Sequence, residues 1–169
     1  MHITNEESTA GVLAGDHTAT GNKTALCRGR DNVAVRDLEI AELAIRRLVV
    51  DMGHRRQIRL HYGALMGMAE MVVLLYFRWM RIDPARPDWP ERDRFVLSKG
   101  HGAPSLYAAL AERGYFGKEN FANFRRLHGI LQGHPDRNKT PGVDATTGSL
   151  GQGIGVACGM ALAAKLNQS

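Results

Sequence analysis

Apolar and polar positions alternate along this chain in a few long, regular blocks. From Asp37 the residues Leu38, Ala41, Ile45, Leu48, Val49 and Met52 recur at three- and four-residue spacing, which predicts an amphipathic helix to about Arg56. A second block predicts a helix over roughly Leu65 to Arg81. Its centre, Met71 to Phe77, is apolar on every side, so the helix should be buried in a multilayered protein as part of a Met-rich core. Pro84, Pro87 and Pro90 deny regular hydrogen bonding to residues 82–94, which lead into Phe95-Val96-Leu97-Ser98, a predicted short buried strand.

Pro104 suits the first turn of the next helix, with Arg113 in its last turn and Gly114 just beyond. A short helix is expected from about Lys118 to Leu127, then a loop from His128 to Gly148 that holds Pro135, Pro141 and four glycines. Loops of that length inside a compact domain tend to be functional. The last helix is expected from about Leu150 to Leu166. Gly151, Gly155 and Gly159 share one of its faces and form a groove without side chains, which should receive another backbone or a flat ligand. Residues 1–34 show no sustained apolar period and read as a disordered leader with no assigned function, leaving 35–169 as the folded unit.

Composition narrows the class. A chain of 169 residues with 44% hydrophobic and 23% charged residues suits one soluble domain. The run Met71–Phe77 is far short of the ~20 residues of a membrane span, and the first residues lack a secretory pattern, so a cytoplasmic location is expected. Cys27 and Cys158 are the two cysteines and support no disulfide framework. The formal charge is +5, with arginines at 46, 47, 55, 56 and 59 on the first helix and its end. They form either a solvated face or an edge that meets phosphorylated ligands. Aromatic residues are not interleaved with them, which argues against nucleic acid.

Candidate chemistry gathers in glycine-bearing turns. Gly151-Gln152-Gly153-Ile154-Gly155 follows no predicted strand and lacks dinucleotide-loop spacing, so a Rossmann reading is discarded. His101, His128 and His134 have no Cys or carboxylate at ligand spacing, which argues against a zinc site built on them. His61, His101 and His134 each lie in a Gly- or Pro-bearing turn. A neutral imidazole exchanges protons with hydroxyls near pH 7 and donates to anions, so three together, with Ser98, Lys99 and Asp144 nearby in sequence, suit a polyhydroxylated, phosphorylated substrate.

The ordered segments Leu97-Ser98-Lys99-Gly100-His101-Gly102, Gln132-Gly133-His134-Pro135 and Thr147-Gly148-Ser149-Leu150-Gly151-Gln152-Gly153 resemble the amino-terminal, thiamine-diphosphate-binding part of transketolases, from about Val35 to the last residue. The resemblance implies an α/β fold: the helix-rich first part of a doubly wound cofactor-binding domain, with few strands in this chain. It implies that His61 faces the sugar near the reacting carbon, although Leu60 and Ala64 depart from the family's glycines on either side of that turn. It places His101 near the cofactor diphosphate and His134 on the donor's first hydroxyl. Gly148, Leu150 and Gly151 would pack on the aminopyrimidine ring, with the Gly148 carbonyl holding its exocyclic nitrogen. The implied activity is transfer of a two-carbon ketol unit between sugar phosphates.

In that family a Gly-Asp-Gly motif and a later Asn hold Mg2+ (or Ca2+), and a glutamate of a separate pyrimidine domain activates the cofactor; this sequence contains none of them. The chain is therefore expected to be a truncated or split subunit, active in an oligomer only with complementary transketolase segments or a C-terminal subunit. Two alternatives stand beside that reading. One is a non-catalytic interaction protein or remnant docking on a transketolase-like partner. The other is a neighbouring enzyme such as dihydroxyacetone synthase or deoxyxylulose-phosphate synthase, the latter disfavoured by the Ser-Lys-Gly-His and Gly-His-Pro segments.

Overall fold

A computed structural model describes residues 33–167. The first 32 positions, and so nearly all of the expected leader, lie outside the described residues. The order is α1 (Val35–Arg56), α2 (Tyr62–Gly67), α3 (Ala69–Leu74), a π turn (Leu75–Trp79), a 3-10 turn (Gly100–Gly102), α4 (Ala103–Glu112), a 3-10 turn (Lys118–Asn123) and α5 (Gln152–Leu166).

Helix α4 is the centre of the core. Ala103 through Ala111 are all buried, and the four alanines among them let α1 and α3 pack closely against it. The α1 stripe Leu38, Ala41, Ile45, Val49 and Met52 meets this core as the spacing predicts. Burying a Leu, Ile, Val or Met side chain contributes about 1.5–3 kcal/mol. Pro104 lies in the first turn of α4, and Gly114 follows Arg113 in the left-handed region at φ 88°. The Ser105 hydroxyl donates to the Leu65 carbonyl at 2.9 Å, a buried bond that sets α2 against α4.

The structure corrects several expectations. The helix over Leu65–Arg81 begins earlier, at Tyr62, breaks at Met68 and closes in a π turn whose Met80 N–H donates to the Leu75 carbonyl at 2.8 Å. Its apolar centre is not buried all round. Val72, Val73, Tyr76 and Phe77 face the core, while Met71 and Leu74 are 50% and 39% exposed. The helix expected over 118–127 is a 3-10 turn ending at Asn123; it delivers Phe121 to the core before the chain turns back through Arg125. In α5 only Gly153 is buried, and side-chain atoms added at Gly151, Gly155 or Gly159 would meet nothing within 4 Å, so no described residue enters the glycine groove.

The strand expected at Phe95–Ser98 does not form, and no strand occurs among the described residues. Side chains of the loop take the place of a ladder. The Phe95 N–H donates to Asp144 Oδ2 at 2.9 Å, and the Thr147 hydroxyl donates to the Leu97 carbonyl at 2.7 Å. The two segments thus advance in the same sense, joined by loop side chains. Asp144 also pairs with Arg92 at 2.6 Å, with both side chains almost wholly buried. The 128–148 loop is correspondingly well built, with Leu131, Pro135, Thr140, Val143 and Ala145 buried.

Removing one partner of a buried ion pair strands the other charge, so Asp144→Ala should lower the unfolding free energy by about 3–5 kcal/mol. Urea unfolding of the two proteins would measure it, and a loss within the ~0.5 kcal/mol of an ordinary surface change would show that the pair does not tie the loop down.

Candidate active site

Three segments that are far apart in sequence converge on one surface. His61 is the residue preceding α2, His101 stands in the 3-10 turn before α4, and His134 lies in the long loop. The His101 and His134 rings meet edge to face with centroids 4.9 Å apart, and His61 and His101 do so at 6.0 Å. All three side chains reach solvent.

Their backbones are fixed from below. The Tyr107 hydroxyl lies 3.0 Å from the Gln132 carbonyl and 2.8 Å from that of His134, so a core residue of α4 holds the loop that carries the third histidine. Burial pushes the Tyr107 pKa up, which keeps this hydroxyl a donor. The Thr147 N–H donates to the Pro135 carbonyl at 3.2 Å. Gly148 is pressed against the His101 turn: a methyl group on Gly100 would come 2.9 Å from the Gly148 Cα and 3.0 Å from the Thr147 carbonyl oxygen, too close for any side chain. Gly153, in the first turn of α5, is equally tight against Ser98, whose hydroxyl is buried without a partner among the described residues.

Desolvation and neighbouring charge bias one ring toward its neutral form. The His134 pKa is lowered, first by partial desolvation, then by the neighbouring His101 and Arg125. A histidine so placed accepts a proton from a hydroxyl at neutral pH instead of already carrying one.

The structure therefore brings His61, His101, His134 and Gly148 together. Leu150 and Gly151 stand beside them in sequence at the entry to α5, both exposed, with Gly151 at φ 86°. A side-chain atom added at Gly148 would lie 3.6 Å from the His134 ring, an ordinary contact, so in the described chain nothing at that position excludes a methyl group. Sequence reasoning gave no individual role to Gly100 and Thr147, although both stand in the quoted motifs, nor to Tyr107 or Arg125. Their roles depend on contacts across the fold, and no local spacing signals them. Among the described residues no group of three or more His, Cys, Asp or Glu side chains is placed to hold a metal ion.

A helical core here presents three neighbouring imidazoles and a glycine turn to solvent. The family described as "Transketolase, thiamine diphosphate binding domain" matches residues 38–169. The chain belongs to that family. Among its relatives, 6-deoxy-6-sulfo-D-fructose transketolase subunit SqwG of Clostridium sp. (strain MSTE9) is 53% identical over 107 residues, 63% of this chain and 39% of the relative. The plasmid transketolase of Cupriavidus necator is 52% identical over 107 residues, 63% of this chain and 16% of the relative. Transketolase from Leishmania mexicana superposes with a TM-score of 0.70 at 42% identity, covering 75% of this chain and 19% of that one. Transketolase from Campylobacter jejuni gives 0.74 at 36% identity, covering 80% and 21%. The chain thus spans well under half the length of these relatives, and its fold is the helix-rich amino-terminal part of the cofactor-binding domain. No described helix is long and apolar enough to cross a membrane.

Two measurements check the site. Gly100→Ala must separate two backbones, so it should cost about 1–3 kcal/mol and disturb the resonances of both His101 and Gly148. Unchanged stability and spectra would dismiss the contact. The neutral bias of His134 also has a pH signature. Because the folded chain binds this proton less readily than the unfolded chain, its contribution to stability is present above the ordinary histidine value of about 6.5 and is lost as pH falls through the lower folded value. Unfolding free energies of wild type and His134→Gln should therefore diverge in slope only below that pH, and parallel curves would contradict the bias.

Proposed function

We propose that this chain supplies part of the cofactor- and substrate-binding wall of a transketolase that transfers a two-carbon ketol unit from a ketose phosphate to an aldose phosphate. The observation that carries the proposal is the convergence of His61, His101 and His134 beside Gly148. Side-chain-free backbone at Gly148 and Gly151, exposed imidazole donors and a buried, unpaired Ser98 hydroxyl fit a flat, polar, anionic group such as thiamine diphosphate. That cofactor, when bound, supplies a nucleophilic carbon and an electron sink for breaking and making a carbon–carbon bond.

The chain's own residues bind, orient and move protons. Gly148, Leu150 and Gly151 would hold the ring, with the Gly148 carbonyl as acceptor, and His101 would donate to the diphosphate. His134, biased toward neutrality, would accept a proton from the donor's first hydroxyl, and His61 would orient the sugar near the reacting carbon. Mg2+ (or Ca2+) would be held by ligands outside this chain, and the remaining segments, in a C-terminal subunit or complementary chain of an oligomer, would complete a cytoplasmic enzyme. Residues 35–169 would form the partial cofactor-binding domain, and 1–34 a disordered leader.

The exposed apolar residues Ile154, Val156, Leu162 and Leu166 on α5 favour a second reading, a non-catalytic protein docking on a transketolase-like partner. The two separate in a complex reconstituted with the complementary segments. There His134→Ala should lower ketol transfer by ~100- to 10,000-fold while thiamine diphosphate still binds, because a positioned proton-transfer group is typically worth that much. Full turnover of this variant in an active complex would remove His134 from the chemistry, and a wild-type complex with neither cofactor binding nor turnover would favour the docking reading. Alone, the chain should bind thiamine diphosphate with Mg2+ weakly or not at all; calorimetric binding at low micromolar cofactor would contradict the need for other segments.

A further inference from the structure

The loop that carries His134 is closed by an arginine with unusual backbone geometry. Arg125 has φ 58°, a left-handed conformation that is uncommon and costly for a side chain of its size. Its N–H donates to the Leu131 carbonyl at 2.8 Å, which closes residues 125–131 into a compact loop. The Gln132 side chain donates to the Gly129 carbonyl at 2.6 Å and the Arg126 carbonyl at 3.2 Å, bracing the same loop from within. The turn returns the Arg125 side chain over Gly133. A methyl group on Gly133 would lie 3.0 Å from its Nε, and its guanidinium lies 5.5 Å from the Phe124 ring centroid. Phe124 is itself buried, against Tyr107 at 6.3 Å, and its carbonyl accepts from Arg56 Nε at 3.2 Å. The strained residue is thus anchored on both sides and packed on the peptide just before His134.

We propose that Arg125 is a positioning residue for the ketol-transfer chemistry: its guanidinium, laid on Gly133 and Phe124, fixes the Gly133–His134 segment and holds the His134 imidazole in its place against His101. This rests on the function proposed above. Partial desolvation lowers the His134 pKa, and among the described residues two charged or titratable groups face the ring and lower it further, His101 from the turn before α4 and Arg125 from its own loop. Tyr107 supports the His134 carbonyl from α4, and Gly148 lies beside the ring with no charge. Glycine at 133 lets the Arg125 guanidinium lie on the peptide, where a methyl group would come 3.0 Å from its Nε and push it outward. That placement also gives the left-handed backbone at Arg125 a task.

The test compares Arg125→Gln, Arg125→Lys and the neighbouring Arg126→Gln. Arg126→Gln removes the same charge one residue away from a side chain with no partner in the site. In the full chain, the imidazole titration of His134 followed by NMR should move up in Arg125→Gln, stay close to wild type in Arg125→Lys, and not move in Arg126→Gln. In the reconstituted complex, kcat should fall on the order of 100-fold in Arg125→Gln with little change in KM, as expected when a catalytic group is displaced by about 1 Å. The acid limb of its pH–rate profile should shift in the same direction as the titration. A His134 titration unmoved by Arg125→Gln, or moved equally by Arg126→Gln, would overturn the proposal. A titration that moves without any change in turnover would show only that the Arg125 charge reaches His134 and would overturn its positioning role; turnover lost in His134→Ala but kept in Arg125→Gln would leave the proposed function standing, so the two readings fail separately.

Discussion

The seam between residues 95–102 and 144–148 is the constraint on which the rest of this structure depends. A single extended segment cannot satisfy its own backbone groups, and here no second strand lies beside it among the described residues. Asp144 and Thr147 therefore supply the acceptor and donor that a ladder would otherwise provide. The same seam brings Gly100 against Gly148 at a distance that admits no side chain, and it delivers His101 to the surface where His134 emerges. The buried Arg92–Asp144 pair contributes little net stability beyond an apolar substitute, but it penalises every arrangement in which the loop is out of register, because each would leave a buried charge alone.

From that seam the division of labour in the fold follows. Helix α4 is buried along its length and carries structural polar groups downward and outward: Ser105 to the α2 backbone and Tyr107 to the carbonyls that flank Gly133. The histidines ride on turns attached to this core, so they can reach solvent and a ligand without weakening it. Helix α5 is the opposite case. Its first turn is locked through Gly153 onto Ser98, and beyond it only Ala157, Met160 and Ala164 are half-buried among the described residues, while Ile154, Leu162 and Leu166 stay exposed. The relatives are several times longer in most cases.

The site's electrostatics follow from the same arrangement. Partial desolvation disfavours protonation of His134, and the neighbouring His101 and the fixed positive charge of Arg125 add to it. The proton acceptance proposed for His134 rests on that bias.

What could be read from the sequence was whatever depends on local period and local backbone freedom. The α1 stripe, the Pro104 entry to α4, the Gly114 stop and the turns that carry His61, His101, His134 and Gly148 were legible, because helical spacing, proline and glycine chemistry, and ordered motifs act over a few residues. What tertiary structure alone decided was pairing. Phe95–Ser98 has the composition of a buried strand, yet a strand exists only with a partner, and its neighbours here are side chains of a loop some 50 residues away. Met71–Phe77 is uniformly apolar, so its sequence does not say which side meets the core; packing on α1 and α4 chose Val72, Val73, Tyr76 and Phe77. The places of Gly100, Tyr107 and Arg125 beneath and beside the histidines were likewise invisible, since a close approach between distant backbones leaves no periodic trace in the chain.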